Sequence, residues 1–376
     1  MGIWHIITGE YPPQAGGVSD YTRLVANGLA SARNAVHVWA PECGVRSNSG
    51  AGVAVHRLPG HFGPRALAAA AREIRANPAR SVLVQYVPHA YGFKAMNLPF
   101  CLWLNSIRQV DLTVMFHEVA FPLNRAQPLR HNLLGAVTWL MARLVCRSAT
   151  RIMVASARWQ AMLRRLGVTA PISWVPVPSN IPVVEDAAAT ARWRQQCTKE
   201  NGLLLGHFAN YSQYSVERLT QIMPALLGEQ GHLSLLLLGA HSGEFRRRLI
   251  NTNRHLAGSI HASGPLAPQD LSWALAACDI MVQPYPDGVS TRRGSMTALL
   301  AHRRAIVTTD GVATERLWSD SGAVALVPAG DPAGMRDAID QMLSSYERRR
   351  GYACGALELY EKRFALRHTI AALMAS

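Results

Sequence analysis

The chain reads as an α/β protein built from two Rossmann-like, doubly wound halves facing each other across a cleft. Three observations predict this. Short apolar runs alternate with amphipathic runs along almost the whole length, the pattern of parallel βαβ units. The alternation breaks once, at the proline-rich stretch 171–186, and then restarts. A length of 376 residues, 49% of them hydrophobic, supplies two cores of ordinary size.

The elements run in this order. IWHIIT (3–8) is a buried strand, and GGVSDYTRLVANGLA is a glycine loop entering a helix with Val18, Tyr21, Leu24, Val25 and Leu29 on one face. AVHVWA (35–40) is a strand, ALAAAAREIRA a helix, and SVLVQYV (81–87) and LTVMFH (112–117) are strands. Helices over 133–148 and 156–166 flank RIMVAS, and 171–186 is the interdomain connection. In the second half LLLGHFA (203–209) and LSLLLLG (233–239) are strands, and SIHASG (259–264) ends in a glycine. Helix DLSWALAAC, strand DIMVQPY, helix SMTALLAH and strand AIVTTDG come next. A late helix, AGMRDAIDQMLSSYERRRGY, precedes a terminal one, ALELYEKRFALRHTIAALMA.

The formal charge of +14 calls for an anionic partner: nucleic acid, acidic membrane or a phosphorylated small molecule. No helix-turn-helix or zinc-finger signature supports nucleic acid. The six cysteines are scattered without a CxxC pair, which argues against zinc or disulfides and for reduced thiols in the cytoplasm. The opening residues lack the basic start of a signal peptide. The most apolar helix, Leu133–Cys146, is short for a membrane span and is broken by Arg143. GVSDY and GVSTR are not nucleophile elbows, and no HExxH or similar metal motif occurs, so no metal site is expected.

Open α/β sheets bind ligands at the carboxyl ends of their strands. Five stretches fall there. GEYPPQAGGVSDYT (9–22) brings Gly16 and Gly17 to a helix start; Asp20 is either a helix-start residue or a polar ligand contact. MFHEVAFP (115–122) puts His117 and Glu118 at a strand end, where an imidazole can donate a hydrogen bond or shuttle a proton. VQYVPHAYG (84–92) offers Gln85, Tyr86, His89 and Tyr91, either to a sugar or as a proline turn with packed tyrosines. GHFANYSQYS (206–215) offers Asn210 and Ser212 without a Lys or Arg. PDGVSTRRGS (286–295) sets Arg292 and Arg293 between Ser290, Thr291, Gly294 and Ser295, just before a helix. Guanidinium forks and helix-start amides suit a diphosphate; a solvated basic turn is the plain alternative.

The ordered set of motifs resembles a retaining, nucleotide-sugar-dependent glycosyltransferase of the GT4 family, with the two-Rossmann GT-B fold. GEYPP…GGVSDY is similar to that family's first glycine loop, and MFHE to its strand-end histidine. SGPLAPQDLSWALAACDIMVQPYPDGVS and ALLAHRRAIVTTDG are similar to its donor-binding segments, and YEKRFALRHTIAALM to its last helix. The resemblance implies an acceptor-binding domain over 1–180, a nucleotide-sugar domain over 181–355, and a helix, 356–376, crossing back onto the first. It implies transfer of a sugar from a nucleotide-diphosphate donor to a small-molecule, glycan or lipid-linked acceptor. No metal or other cofactor is expected.

Two departures mark the chain. Asp287 and Ala298 stand where the family carries glutamates, and the loop after the first strand of the second half lacks the family's basic pair unless Arg218 serves. Arg292 and Arg293, with Ser290, Thr291, Gly294, Ser295 and Gly17, are therefore expected to hold the diphosphate. Asn210, Ser212, Gly264, Leu266, Asp287 and Gly288 are expected near the nucleotide or sugar, and Gln85, Tyr86 and Tyr91 near the acceptor. His117 would touch the reacting sugar or a phosphate, with Glu118 and Asp20 as nearby carboxylates. Rival readings are an epimerase or phosphorylase on the same fold, or a non-catalytic nucleotide-sugar binder. A phosphorylase would need a pyridoxal lysine, and Lys199 and Lys362 are poorly placed. Arg125, Arg130, Arg143, Arg147 and Arg151 surround the apolar helix 133–146, which either lies on an anionic bilayer at the inner membrane face or packs on the first sheet.

Overall fold

The computed structural model describes residues 2–44, 52–76, 81–107, 111–199, 202–211, 213–229 and 231–375. The chain divides into two compact units, Met1–Val177 with Leu366–Ser376, and Pro178–Ala365. The first unit runs β1 (Ile3–Thr8), α1 (Gly17–Ser31), β2 (Ala35–Pro41), β3 (Val53–Leu58), α2 (Pro64–Ala76), β4 (Ser81–Tyr86) and α3 (Leu98–Ser106). It continues through β5 (Asp111–Phe116), α4 (Leu129–Ser148), β6 (Arg151–Val154), α5 (Ala157–Arg165) and β7 (Ile172–Trp174). The second unit starts with α6 (Ala187–Cys197), β8 (Leu203–Phe208), α7 (Gln213–Glu229), β9 (Leu233–Leu238), α8 (Ser242–Thr252), β10 (Ile260–Ala262) and α9 (Pro268–Ala277). It ends with β11 (Ile280–Gln283), α10 (Gly294–Ala301), β12 (Ala305–Asp310), α11 (Arg316–Ser321), β13 (Ala325–Pro328), α12 (Pro332–Leu343) and α13 (Tyr346–Leu359). A last helix, α14 (Leu366–Met374), returns to the first unit.

Both sheets are parallel, ordered β3-β2-β1-β4-β5-β6-β7 and β10-β9-β8-β11-β12-β13. The central strands are mostly apolar runs because both faces are covered, as parallel sheets require, whereas the edge strand β3 carries His56 and Arg57. On the first sheet, helices α2 to α5 bury Leu67, Ile74, Phe100, Leu104, Met141, Val145 and Leu163 on one face. Helix α1 buries Tyr21, Val25 and Leu29 on the other, together with Leu373 of α14. The second sheet is covered by α7, α8 and α12 on one side and by α9, α10, α11 and α13 on the other.

Three sequence expectations change. The stretch 171–186 is not all connection, since Ile172–Trp174 pairs with β6 as the seventh strand of the first sheet. The terminal helix is interrupted: a wide turn over Tyr360–Phe364 leads into extended backbone at Ala365, and 356–365 stay with the second unit. Arg151, read with the arginines around the apolar helix 133–146, instead ties down α14. Its Nη2 donates to Leu373 O at 3.1 Å and to Asp111 Oδ2 at 3.1 Å, capping the negative end of the helix. Gly28 permits this docking, because a Cβ there would sit 2.7 Å from Ile370 Cδ1.

Candidate active site

In a doubly wound sheet the strand order reverses at one point and leaves a crevice beyond the carboxyl ends. Here those points lie between β1 and β4 and between β8 and β11. In the first unit Thr8 pairs with Gln85 across that point. His117 comes directly after β5, and its backbone N–H donates to Tyr86 O at 3.1 Å. Alternation along β4 sends Val82, Val84 and Tyr86 into one core, whereas Leu83 lies in the other. Gln85 shares the face of Leu83 and meets His117, with Nε2 and Oε1 2.8 Å apart. Tyr21 stands edge-on to the imidazole at 4.8 Å, and Trp159 Nε1 donates to His117 O at 3.0 Å.

The His117 ring keeps some solvent contact, yet the surrounding protein disfavours the imidazolium and lowers its pKa to about 4. It is therefore neutral at neutral pH. With the Gln85 oxygen as partner, Nε2 carries the proton and Nδ1 is left as an acceptor. Gln85 is fully buried, and its Nε2 has no hydrogen-bond partner among the described residues.

Tyr86 and Tyr91, expected to face an acceptor, are turned inward. Both are fully buried; Tyr91 O–H donates to Gln85 O at 2.7 Å, and the Tyr86 ring packs against Phe116 at 4.8 Å. Glu118 Oε2 lies 3.7 Å from His89 Nδ1, and Asp20 forms an ion pair with Arg23 at 3.4 Å. Gly17 opens α1, but the expected phosphate cradle already faces a carboxylate. Glu10 Oε1 accepts from Ser19 N at 2.9 Å, and Glu10 Oε2 lies 2.5 Å from where a Cβ on Gly16 would stand. That charge complements the helix dipole and would repel a phosphate. Glu10 escaped sequence reasoning because a cap supplied from before the loop has no fixed spacing to the helix it caps.

In the second unit Gln283 Nε2 donates to Phe208 O at 3.0 Å and ties β11 to β8 at the reversal point. Asn210 is exposed just past β8, whereas Ser212 lies outside the described residues. Gly264, at φ +66°, donates its N–H to Ser242 Oγ at 2.9 Å beside the start of α8. Leu266 packs its side chain against the core beneath α9, so only its backbone could serve a ligand.

The loop from Tyr285 to Arg293 is pinned to β12 and to the turn after that strand. Val289 N donates to Thr309 O at 2.8 Å, and Ala313 N to Asp287 O at 2.8 Å. Gly288 adopts φ +90°, and a Cβ there would lie 2.5 Å from Gly311 N, so the close approach needs glycine. Thr291 does not present its donors outward. It is fully buried, its N–H donates to Glu315 Oε2 at 3.0 Å and its hydroxyl to Glu315 Oε1 at 2.8 Å. Trp318 Nε1 donates to the same carboxylate at 3.0 Å. Ser290 is also buried, its hydroxyl without a partner among the described residues.

The two arginines remain toward the surface. Arg293 pairs with Asp287 and lies over the Tyr285 ring at 4.1 Å, while Arg292 approaches Asp287 Oδ2 at 3.8 Å. Tyr285 O–H and Ser295 Oγ are 2.9 Å apart, which fixes the ring beneath the guanidinium. The side chain of Arg293, the residue before α10, makes no capping bond, and the first turn of the helix carries no acid. The cluster joins Asp287, Arg292, Arg293 and Ser295 at one helix start and leaves Thr291 to hold the loop from inside. Among the described residues no group of three or more His, Cys, Asp or Glu is arranged for a metal.

Burial also makes the fold acid-sensitive. The His117 pKa is lowered to about 4, the His207 pKa to about 3, and that of His302 is lowered as well, each chiefly by desolvation. An unfolded histidine titrates near about 6.5. The folded chain therefore binds fewer protons than the unfolded one below that pH. The stabilisation is complete above about 6.5 and is lost as pH falls toward the folded values. Denaturant midpoints should drop between about pH 7 and about pH 5, and His207→Asn should flatten that dependence. A midpoint that stays constant over this range would show that the buried rings do not carry it.

Residues 15–178 match the family described as Glycosyltransferase Family 4, and residues 200–345 match Glycosyl transferases group 1. No curated protein matches the sequence. Among solved structures the fold is similar to that of sucrose-phosphate synthase from Thermosynechococcus elongatus, at TM-score 0.75 and 15% identity, covering 100% of this chain and 97% of that one. It is similar to WaaG, a glycosyltransferase involved in lipopolysaccharide biosynthesis, at TM-score 0.71 and 13% identity, covering 99% and 100%. It is also similar to HepE from Anabaena in complex with UDP and glucose, at TM-score 0.71 and 15% identity, covering 99% and 98%. At these identities the likeness to solved structures speaks to the fold.

Proposed function

We propose, for a chain that is a GT4-like group 1 glycosyltransferase, a metal-independent transfer that uses a nucleotide-diphosphate sugar as donor and retains configuration at the sugar. The observation that carries the reading is the arginine pair at the start of α10, set beyond the carboxyl end of β11. HepE, of similar fold, has been captured with UDP-glucose, which supports a nucleotide-sugar donor.

Breaking the bond between the sugar carbon and the diphosphate oxygen leaves a growing negative charge on that oxygen. Arg292, Arg293 and the first amides of α10 would meet that charge, an interaction stronger in the transition state than in the ground state. The acceptor hydroxyl attacks from the side the diphosphate leaves, and its proton passes to the departing phosphate oxygen. No nucleophilic role is assigned to Asp20, which pairs with Arg23, or to Glu118, whose Oε2 lies 3.7 Å from His89 Nδ1. Neutral His117 would accept a hydrogen bond from a sugar hydroxyl at Nδ1. Gln85 Nε2, which has no partner among the described residues, would donate one, since a buried donor left unsatisfied is costly.

Turnover of a nucleotide-sugar panel, monitored as released nucleoside diphosphate, tests this. One donor should turn over at a rate that EDTA leaves unchanged, and the product should keep the donor's anomeric configuration by NMR. A rate abolished by EDTA and restored by magnesium would remove the metal-independent step. An inverted product would remove retention, and silence toward every donor would remove the nucleotide-sugar reading.

A further inference from the structure

Helix α4 has an unusual outer face. Its inner side packs Met141, Ala142, Val145 and Cys146 into the core of the first unit. The outer side should then be polar. Instead Leu129, Leu133 and Leu140 form a stripe at helical spacing and are 88%, 62% and 47% exposed. Arg143 and Arg147 continue the same stripe toward the carboxyl end, both exposed. Helix α3 covers the same face of the sheet and turns Leu102 outward, 59% exposed. Of the ten exposed large hydrophobic side chains among the described residues, six lie on this layer: Phe93, Leu102, Leu123, Leu129, Leu133 and Leu140. Scattered apolar exposure is ordinary, but a concentration of this kind marks a contact surface.

The surface is built rather than loose. The connection into α4 is cross-tied: Asn124 N donates to Asn132 Oδ1 at 3.0 Å, and Asn132 Nδ2 donates back to Asn124 O at 3.0 Å. Phe121 N donates to Thr138 Oγ1 at 3.1 Å. Before α3, Phe93, Lys94 and Ala95 have φ of +51°, +52° and +68°, three successive residues in the left-handed region. Such strain is held only where surrounding structure over-determines it. Here it presents Phe93 and Lys94 to solvent side by side.

Charge selects the occupant. From Val119 to Val184 the sequence has eight arginines and no Asp or Glu. Arg151 is spent on α14, but Arg125, Arg130, Arg143 and Arg147 stand exposed around the leucines. Apolar side chains ringed by cations, with no carboxylate in the segment, match a surface that is anionic outside and apolar beneath. No helix among the described residues is long and apolar enough to cross a membrane, so the contact is with one face.

We infer that the α3–α4 layer docks on an anionic lipid bilayer, with the leucines entering the interface and the arginines meeting lipid phosphates. The connection that carries His117 and Glu118 runs directly into this layer, so a lipid-linked acceptor would meet the site where the protein meets the membrane. The docking stands independently of the donor reading.

Sedimentation of the full chain with vesicles tests it, using phosphatidylcholine alone and phosphatidylcholine mixed with phosphatidylglycerol. The protein should sediment with the mixed vesicles and not with the neutral ones. Arg143→Ser with Arg147→Ser should weaken binding by about 25-fold, at about fivefold for each cation near the surface. Leu129→Ser, Leu133→Ser and Leu140→Ser together should reduce sedimentation to the neutral-vesicle level, while nucleoside diphosphate binding in the absence of lipid stays unchanged. Equal binding by the leucine variant and the parent, or no binding by the parent, would overturn the inference. So would a lipid-free dimer that the leucine variant dissociates in analytical ultracentrifugation, because the face would then belong to a second copy.

Discussion

Arg293→Ala is expected to weaken nucleoside diphosphate binding by about 10- to 100-fold, the range for losing charge-assisted hydrogen bonds. The guanidinium lies over the Tyr285 ring and pairs with Asp287, so its orientation is set before any ligand arrives. Preorganisation of this kind lowers the entropy lost on binding. Its Nε is buried without a partner among the described residues, a donor that a phosphate oxygen could satisfy. Arg292→Ala should cost less, because that side chain is more exposed and lies 3.8 Å from Asp287. Lysine at 293 should recover only part of the loss, since an ammonium cannot fork onto two oxygens or stack as a plane. Asp287→Asn supplies the contrasting arm: it removes a negative charge beside the diphosphate but also a group that orients Arg293, so it should weaken binding less than Arg293→Ala does. Calorimetric titration of a nucleoside diphosphate into each variant reads all four. Unchanged affinity in Arg293→Ala and Arg292→Ala would send the diphosphate elsewhere.

Glu315→Ala should destabilise the second unit by about 3 kcal/mol, because it strands several buried donors at once. Thr291 N–H, Thr291 O–H and Trp318 Nε1–H all end on this carboxylate. Thr291 is fully buried, so water cannot substitute readily. The same change should release the loop that carries Arg292 and Arg293, and donor affinity should fall with stability. Glu315→Gln should be intermediate, since an amide keeps one acceptor oxygen but turns a donor toward other donors. Urea denaturation monitored by tryptophan fluorescence reads the stability, and Trp318 lies in the perturbed cluster. A Glu315→Ala variant with an unchanged midpoint would mean the loop is held by its backbone bonds to β12 alone.

The two readings of the helix at 133–146, packed on the sheet or laid on a bilayer, describe opposite sides of one helix. Its period of apolar residues is too broad for a single buried face, and folding divides it between the core and the surface. Gln85, Tyr86 and Tyr91 were legible as a polar and aromatic strand end, but pleating separated them. Tyr86 and Tyr91 went to the core, and Gln85 alone reached His117. Glu315 carried no local signal, because its partner Thr291 lies 24 residues earlier and β12 brings the two together. Glu10 was hidden for the same reason, a cap reaching across a loop to Ser19.

The order of strands and helices, the restart after the proline-rich stretch and the two arginines before α10 were all determined by the sequence alone. Periodicity and composition act along the chain and need no partner to be read. Which side chains face a ligand was decided only by the tertiary structure. Orientation at a strand end depends on register with neighbouring strands, and the occupant of a helix start depends on carboxylates brought from elsewhere in the chain. That is why Arg292 and Arg293 could be placed before α10 from the sequence, while Thr291 turned inward to Glu315 and the start of α1 was taken by Glu10.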